Sequence, residues 1–146
     1  MSTPVYINPE LATQVLDLFE EIIKASDNPM EVHFEELTAE PGPLPRIMLH
    51  TRNSSTDNST GYISGEYACP FPCLLTLRVA AQDEQDRLDA DKYLRSITAA
   101  FLAKAAVLKD FIAYRKPSAS MPYCLGRTSA FEDWQVTFEL NYIQKP

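Results

Sequence analysis

The chain has 146 residues, 45% of them hydrophobic, and 13 basic against 20 acidic side chains give a net charge of −7. This length suits one domain that buries roughly 70% of the surface exposed by the unfolded chain. The acidic balance argues against sequence-specific nucleic-acid binding, because phosphate groups would be repelled. Residues 1–8 lack the basic flank and apolar run of a secretory signal, and no run approaches the roughly 20 apolar residues of a membrane span. We therefore expect a single cytosolic domain over residues 1–146, without membrane association.

The first predicted element is an amphipathic helix. It begins at Asn8 and Pro9, because asparagine is a good N-cap and proline tolerates the first helical position. The helix is expected to end near Ser26, before Pro29. Its apolar positions at helical spacing are Leu11, Val15, Leu18, Phe19 and Ile22.

Two strands are predicted next, over residues 30–38 and 46–52, on either side of a proline-rich loop at 40–45. We expect them to pair antiparallel across that loop. Alternation in the second strand predicts two faces. Its inward residues are Ile47 and Leu49, and its outward residues are Met48 and His50.

Residues 53–60 form the most polar stretch of the chain. Because they include no apolar side chain to anchor them, we expect an exposed loop. Such a loop is either a tolerated surface insertion or a segment that becomes ordered against a partner.

A central strand is predicted over residues 74–81, followed by a second helix capped by Asp83. The apolar stripe of that helix contains Ala90, Leu94, Ile97, Phe101 and Ala105, widened by Leu88, Tyr93 and Leu102. Residues 107–114 fit either a longer helix or a short strand. Residues 116–126, which contain Pro117 and Pro122, are expected to form a long contact loop.

The end of the chain shows the clearest strand pattern. Apolar side chains occupy every second position, with polar side chains between them. The apolar positions are Trp134, Val136, Phe138, Leu140 and Tyr142. Together these elements predict an α+β fold, a two-layer sandwich in which two main helices pack on one face of a mostly antiparallel sheet. No element remains to cover the other face, so we expect a second copy or another partner to bury it.

Signatures of catalysis are weak. The four glycines make no phosphate-binding fingerprint, and the sequence has no G-x-S-x-G or H-E-x-x-H motif. Cys124 could pair with His33 or His50 as nucleophile and base, but a buried, inert thiol is the favoured interpretation. Cys69 and Cys73 are too widely spaced for the usual zinc pair. The sequence predicts no enzyme, no metal and no cofactor.

Five segments of the second half of the chain have a familiar order and local sequence character: 75–79, 83–87, 97–102, 114–117 and 132–142. In this order of elements, roughly residues 70 to 143 resemble the small tail-terminator and neck proteins of tailed bacteriophages.

This resemblance implies a homo-oligomeric ring, typically a hexamer, that caps the tail-tube protein and joins it to head-connector proteins. DNA would pass through such a ring without specific binding, and no catalytic residue would carry over. The expected location is the virion tail or neck, after assembly in the host cytoplasm. Alternatives are another oligomeric tail component, such as a tail-tube or completion protein, or a small cytosolic oligomeric binding module.

Eight side chains are predicted as inter-subunit or partner contacts. They come from the polar loop and from polar or aromatic positions of the later strands and connections. They are Asn53, Asp57, Asn58, Tyr62, Arg78, Tyr123, Arg127 and Trp134.

Overall fold

The computed structural model describes residues 10–34, 44–51, 60–61, 67–80, 83–105, 112–113, 116–128 and 130–144. These ranges contain two helices and ten strands. The helices are α1 (Leu11–Lys24) and α2 (Glu84–Ala105). The strands are β1 (Val32–Phe34), β2 (Arg46–Thr51), β3 (Thr60–Gly61), β4 (Tyr67–Pro70), β5 (Cys73–Val79), β6 (Ile112–Ala113), β7 (Ser118–Ala119), β8 (Tyr123–Arg127), β9 (Glu132–Glu139) and β10 (Asn141–Gln144).

The main sheet has the order β1, β2, β5, β9, and both β7 and β8 pair along the far side of β9. Strand β5 is central, as predicted. The antiparallel pairing predicted for the first two strands is wrong, because β1 and β2 are parallel, with Val32 opposite Ile47 and Phe34 opposite Leu49. A parallel pair needs a return connection instead of a hairpin turn, and residues 35–45 supply the length for it.

Strands β4 and β5 form one long, bent ribbon with β9 and β10. Cys73 pairs with Phe138 in the main sheet, and Pro70 pairs with Asn141 in the same register beyond the bend. At the bend, the backbone N–H of Phe71 donates to the carbonyl oxygen of Leu140 over 2.6 Å. Beyond it, β3 and β6 flank the ribbon to give a second sheet of order β3, β4, β10, β6. The single closing strand that we predicted is therefore two strands in two sheets.

The helices cover one face of the main sheet, which confirms the predicted α+β sandwich. Phe19 of α1 stacks on Phe101 of α2 with ring centroids 3.9 Å apart, and both rings meet Phe138 of β9 edge-on. The predicted apolar positions of α1 are all buried, together with Ile23. The main stripe of α2 is buried as predicted.

The predicted start of α2 is confirmed, whereas the predicted width of its apolar stripe is not. In α2, the side chain of Asp83 accepts the backbone N–H of Asp86 over 2.9 Å, which confirms the predicted cap. Leu88 is 56% exposed and does not widen the stripe, because a residue two positions before Ala90 lies on the opposite side of a helix. Helix α1 begins at Leu11 without a side-chain cap, and the predicted start at residues 8–9 lies outside the described residues.

The face opposite the helices is not bare, and our prediction of an uncovered face is wrong for its centre. Met48, Thr76 and Gln135 point away from the helices and are nevertheless buried. The polar members of this row bond to each other, since the Gln135 amide donates to the Thr76 hydroxyl over 2.9 Å. Hydrogen bonds between neighbouring strands make burial of these groups tolerable.

Candidate functional site

Residues 118–127, predicted as part of a loop, instead form the outer edge of the main sheet. Strand β7 pairs Ser118 with Glu139, and β8 pairs Tyr123 with the middle of β9. The register shifts between Cys124 and Gly126, which makes a β-bulge at Leu125. Within the described ranges, no strand pairs with the outer side of β7 or β8.

This edge carries exposed apolar side chains. Met121 is 68% exposed, Leu125 is 47% exposed, and the ring of Tyr123 is also exposed. Large apolar groups on an open edge strand are unusual in a chain that stays alone, because the edge also offers unpaired backbone groups to another strand. We call Met121, Tyr123, Leu125 and Arg127 the β8 edge.

The side chains of the β8 edge are held in place by the body of the protein. The Tyr123 hydroxyl donates to the side-chain amide oxygen of Gln135 over 2.7 Å and lies 3.3 Å from the Thr137 hydroxyl. A guanidinium nitrogen of Arg95 lies 3.1 Å from the sulfur of Met121. These contacts position the edge before any partner arrives, which lowers the entropic cost of binding.

Glu132, the first residue of β9, contacts arginines of both α2 and β8. Its buried carboxylate accepts a hydrogen bond from Arg87 over 3.1 Å and forms an ion pair with Arg127, also over 3.1 Å. The indole N–H of Trp134 donates to the other carboxylate oxygen over 3.3 Å. Two guanidinium groups share one carboxylate, so this group has a net charge of +1, and Arg127 carries part of it to the surface.

A second ion pair lies on the face opposite the helices. Arg78 forms a bidentate pair with Asp133 over 2.7 and 2.9 Å, and its guanidinium group lies 4.0 Å from the centroid of the Phe131 ring. Arg78 and Asp133 are both buried. This guanidinium is therefore occupied inside the chain, although the sequence predicted it as a surface contact.

The structure places the other predicted contacts in different settings. Tyr123 and Arg127 both lie on the β8 edge. Trp134 is partly buried, pairs in register with Cys124, and packs against the main core. The other four predicted contacts lie outside the described residues: Asn53, Asp57, Asn58 and Tyr62.

Sequence reasoning missed Met121, Leu125 and Glu132 as parts of this surface. The signal for the first two was their period-2 spacing with Tyr123, which is typical of a strand. Pro117 and Pro122 hid that signal by favouring a loop. Nothing in the sequence marked Glu132 as the carboxylate shared by two arginines.

The described side chains do not assemble the chemistry that we weighed as an alternative. They include no group of three potential metal ligands. Burial, and to a lesser extent Glu139, raises the pKa of the Cys73 thiol to about 12, so it is not activated as a nucleophile. Cys124 and His33 lie on opposite edges of the main sheet, about 19 Å apart at four strand spacings. His50, on β2, lies three strand spacings from Cys124 across the sheet and is offset by three residues along it, so the two residues are more than about 14 Å apart.

Two concave surfaces lie at other positions on the fold. A cleft of about 440 Å³ separates the start of α2 from the end of β5, with Leu77 and Val79 below and Asp86 and Asp89 beside it. A groove of about 460 Å³ lies between α1 and β1, at the sheet edge opposite β8. The groove is lined by Glu20, Lys24, Pro29, Met30, Glu31 and Val32.

Comparison with solved structures reveals a likeness that extends over nearly the whole chain. The chain is similar to a chain of the virion of a native gene transfer agent particle, at 11% sequence identity and a TM-score of 0.57. The two chains share a fold. The match covers 94% of this chain and 100% of the other one. By contrast, no protein-family model and no curated protein matches the sequence.

At 11% identity the match shows a shared fold, and no residue role transfers between the two chains. Neither helix in the described ranges is long and apolar enough to cross a membrane.

Proposed function

We propose that this protein is a structural subunit of a phage-like virion, and more specifically a ring-forming tail terminator or neck protein. One observation carries the proposal: nearly the whole chain shares its fold with a complete chain of a gene transfer agent virion. The finer assignment is supported by the resemblance of residues 70–143 to tail-terminator and neck proteins. The ring, a hexamer, would join the tail tube to the head connector.

The β8 edge supports a role in assembly. An exposed apolar edge strand with prepositioned side chains suits a protein that functions as part of an assembly. Its partners would be further copies of itself, the tail-tube protein and the head-connector proteins. DNA would pass through the ring without specific contacts, and the net charge of −7 agrees with a lumen that does not retain it.

The same fold likeness favours a second candidate, another oligomeric tail component such as a tail-tube or completion protein. A small cytosolic oligomeric binding module would use the β8 edge equally well. These candidates differ in the symmetry of their assemblies, since a terminator closes into a ring whereas a tube protein stacks into long polymers.

The mass of the assembled protein tests the proposal. We expect native mass spectrometry and light scattering of the full chain to give a hexamer at micromolar concentration, and negative-stain electron microscopy to show closed rings. Purified tail tubes should bind these rings at one end only. Polymers of unlimited length would favour the tail-tube alternative, and a closed dimer would favour the binding module. A chain that remains monomeric with and without tail tubes and connectors would refute the proposal.

A further inference from the structure

We propose that copies of this chain join head to tail, with the β8 edge of one copy bound to the β1 edge of the next. By β1 edge we mean β1 (Val32–Phe34) and the adjoining groove, whose lining includes Glu20, Lys24 and Glu31. The inference rests on the proposed function, because a ring requires each copy to contact its neighbours through two different surfaces.

The positions of the two edges fit such a contact. Strands β1 and β8 lie at opposite ends of the main sheet, with β2, β5 and β9 between them. Within the described part of the chain, the outer sides of both strands are unpaired. Each edge therefore has backbone hydrogen-bonding capacity for one further strand.

Strand direction also fits. Strand β1 is parallel to β2, and each following pair across the sheet is antiparallel, from β2 to β5, from β5 to β9 and from β9 to β8. Strands β1 and β8 therefore run in opposite directions. In neighbouring copies that keep the same orientation around a ring, β8 meets β1 antiparallel, which is the more stable of the two pairings.

The apolar surfaces of the two edges are complementary. The β8 edge exposes Met121, Tyr123 and Leu125, whereas the β1 edge contains a groove of about 460 Å³ with Met30 and Val32 in its lining. Phe34, half exposed at the end of β1, extends the apolar part of that edge. Exposed apolar groups on one side and a partly apolar recess on the other can bury each other's surface on contact.

The charges are complementary as well. The groove contains two carboxylates and one ammonium group, a net charge of −1. At the β8 edge, Arg87 and Arg127 share the single carboxylate of Glu132, a net charge of +1. Pairing two β8 edges about a two-fold axis would instead bring two positive groups into one interface, which is unfavourable.

Two single-edge variants test the contact. Phe34→Glu alters only the β1 edge, and Leu125→Glu alters only the β8 edge. Each places a carboxylate in the interface at a position that is exposed in the single chain, so the fold should survive, as circular dichroism and thermal melting can verify. We expect each variant alone to lose the ring and to give the mass of one chain.

Mixing the variants gives the decisive measurement. Phe34→Glu retains an intact β8 edge and Leu125→Glu retains an intact β1 edge, so an equimolar mixture should form a heterodimer. It should form nothing larger, because the two remaining edges both carry the new carboxylate. The matched control is Leu88→Glu, which changes an exposed leucine on α2 and should leave the ring intact.

Other outcomes would overturn the inference. If either variant dimerises alone, the contact joins identical edges. If rings persist in both variants, the interface lies elsewhere while the proposed function still stands. A wild-type chain that never assembles, even with tail tubes, would overturn both the contact and the proposed function.

Discussion

Removing the charge of Asp133 should destabilise the protein severely, because Asp133 forms an ion pair with a buried cation. The Arg78 side chain is 2% exposed and that of Asp133 is 11% exposed, with 2.7 Å between Nε and Oδ1. In Asp133→Asn the guanidinium group loses the carboxylate that neutralises it and stays in a region with little water. Breaking a buried pair from one side costs about 3 to 5 kcal/mol, which is a large share of the stability of a typical domain.

The chain offers a matched control for this prediction. Arg95 and Asp91 form a pair of the same length, 2.7 Å, on the surface of α2, where their side chains are 52% and 30% exposed. Water screens such a pair, so Asp91→Asn should cost no more than about 0.5 kcal/mol. The difference between the two substitutions measures the effect of burial at constant distance.

A double variant separates charge from packing. In Arg78→Met combined with Asp133→Leu, both charges disappear together, and the free energy of unfolding should return to within about 1 kcal/mol of wild type. Urea unfolding at pH 7, followed by circular dichroism, gives all four values. If Asp133→Asn costs as little as Asp91→Asn, Arg78 is neutralised by water or by another group, and the prediction is wrong. It is also wrong if the double variant is as unstable as the single one.

Three further measurements check the core, a helix cap and the buried acids. Phe138→Ala should lower the free energy of unfolding by about 3 to 5 kcal/mol and Leu88→Ala by less than about 0.5 kcal/mol, because the Phe138 side chain is buried and the Leu88 side chain is exposed. Asp83→Ala should cost about 1 kcal/mol in urea unfolding, since it removes the cap of α2. Burial raises the pKa of Cys73 from 9.0 to about 12 and that of Tyr142 from 10.0 to about 12. Both groups therefore hold their protons more tightly when folded. Stability should be complete below pH 9 and fall toward pH 12 by up to about 1.4 kcal/mol per pH unit for each group, and Tyr142→Phe should flatten part of that fall in pH-dependent urea titrations.

The helices and the central strand could be predicted because a single physical signal determined them. A helix that packs on a sheet repeats its apolar side chains every three or four residues, and both stripes turned out to be buried. The prediction that the other face of the sheet is uncovered failed for the opposite reason. Thr76 and Gln135 alternate with apolar neighbours as solvent-facing residues do, yet they bond to each other across two strands that are distant in the sequence. A partner at that distance leaves no trace in a local pattern.

The candidate site was harder to predict than the core. Whether Tyr123 and Leu125 belong to a loop or to a strand depends on β9, which pairs with both β7 and β8. The parallel pairing of β1 with β2 depends likewise on tertiary structure, because the proline-rich segment between them fits either a hairpin loop or a return connection. Edges of a sheet are defined by which strands are neighbours, and period and propensity carry no information about that.

Net charge and assembly impose opposite demands on this molecule. Each copy carries a charge of −7, so copies repel one another at distances up to the screening length, which is about 8 Å at physiological ionic strength. A contact between copies must therefore come from local features that act at short range. In the contact that we propose, the described surface provides such features at its two edges. The exposed apolar side chains of the β8 edge would meet the apolar part of the groove beside β1, and the positive group around Glu132 would meet the carboxylates of that groove. Because the attraction is local and the repulsion is spread over the whole surface, the geometry of the edges, rather than the overall charge, decides how the copies associate.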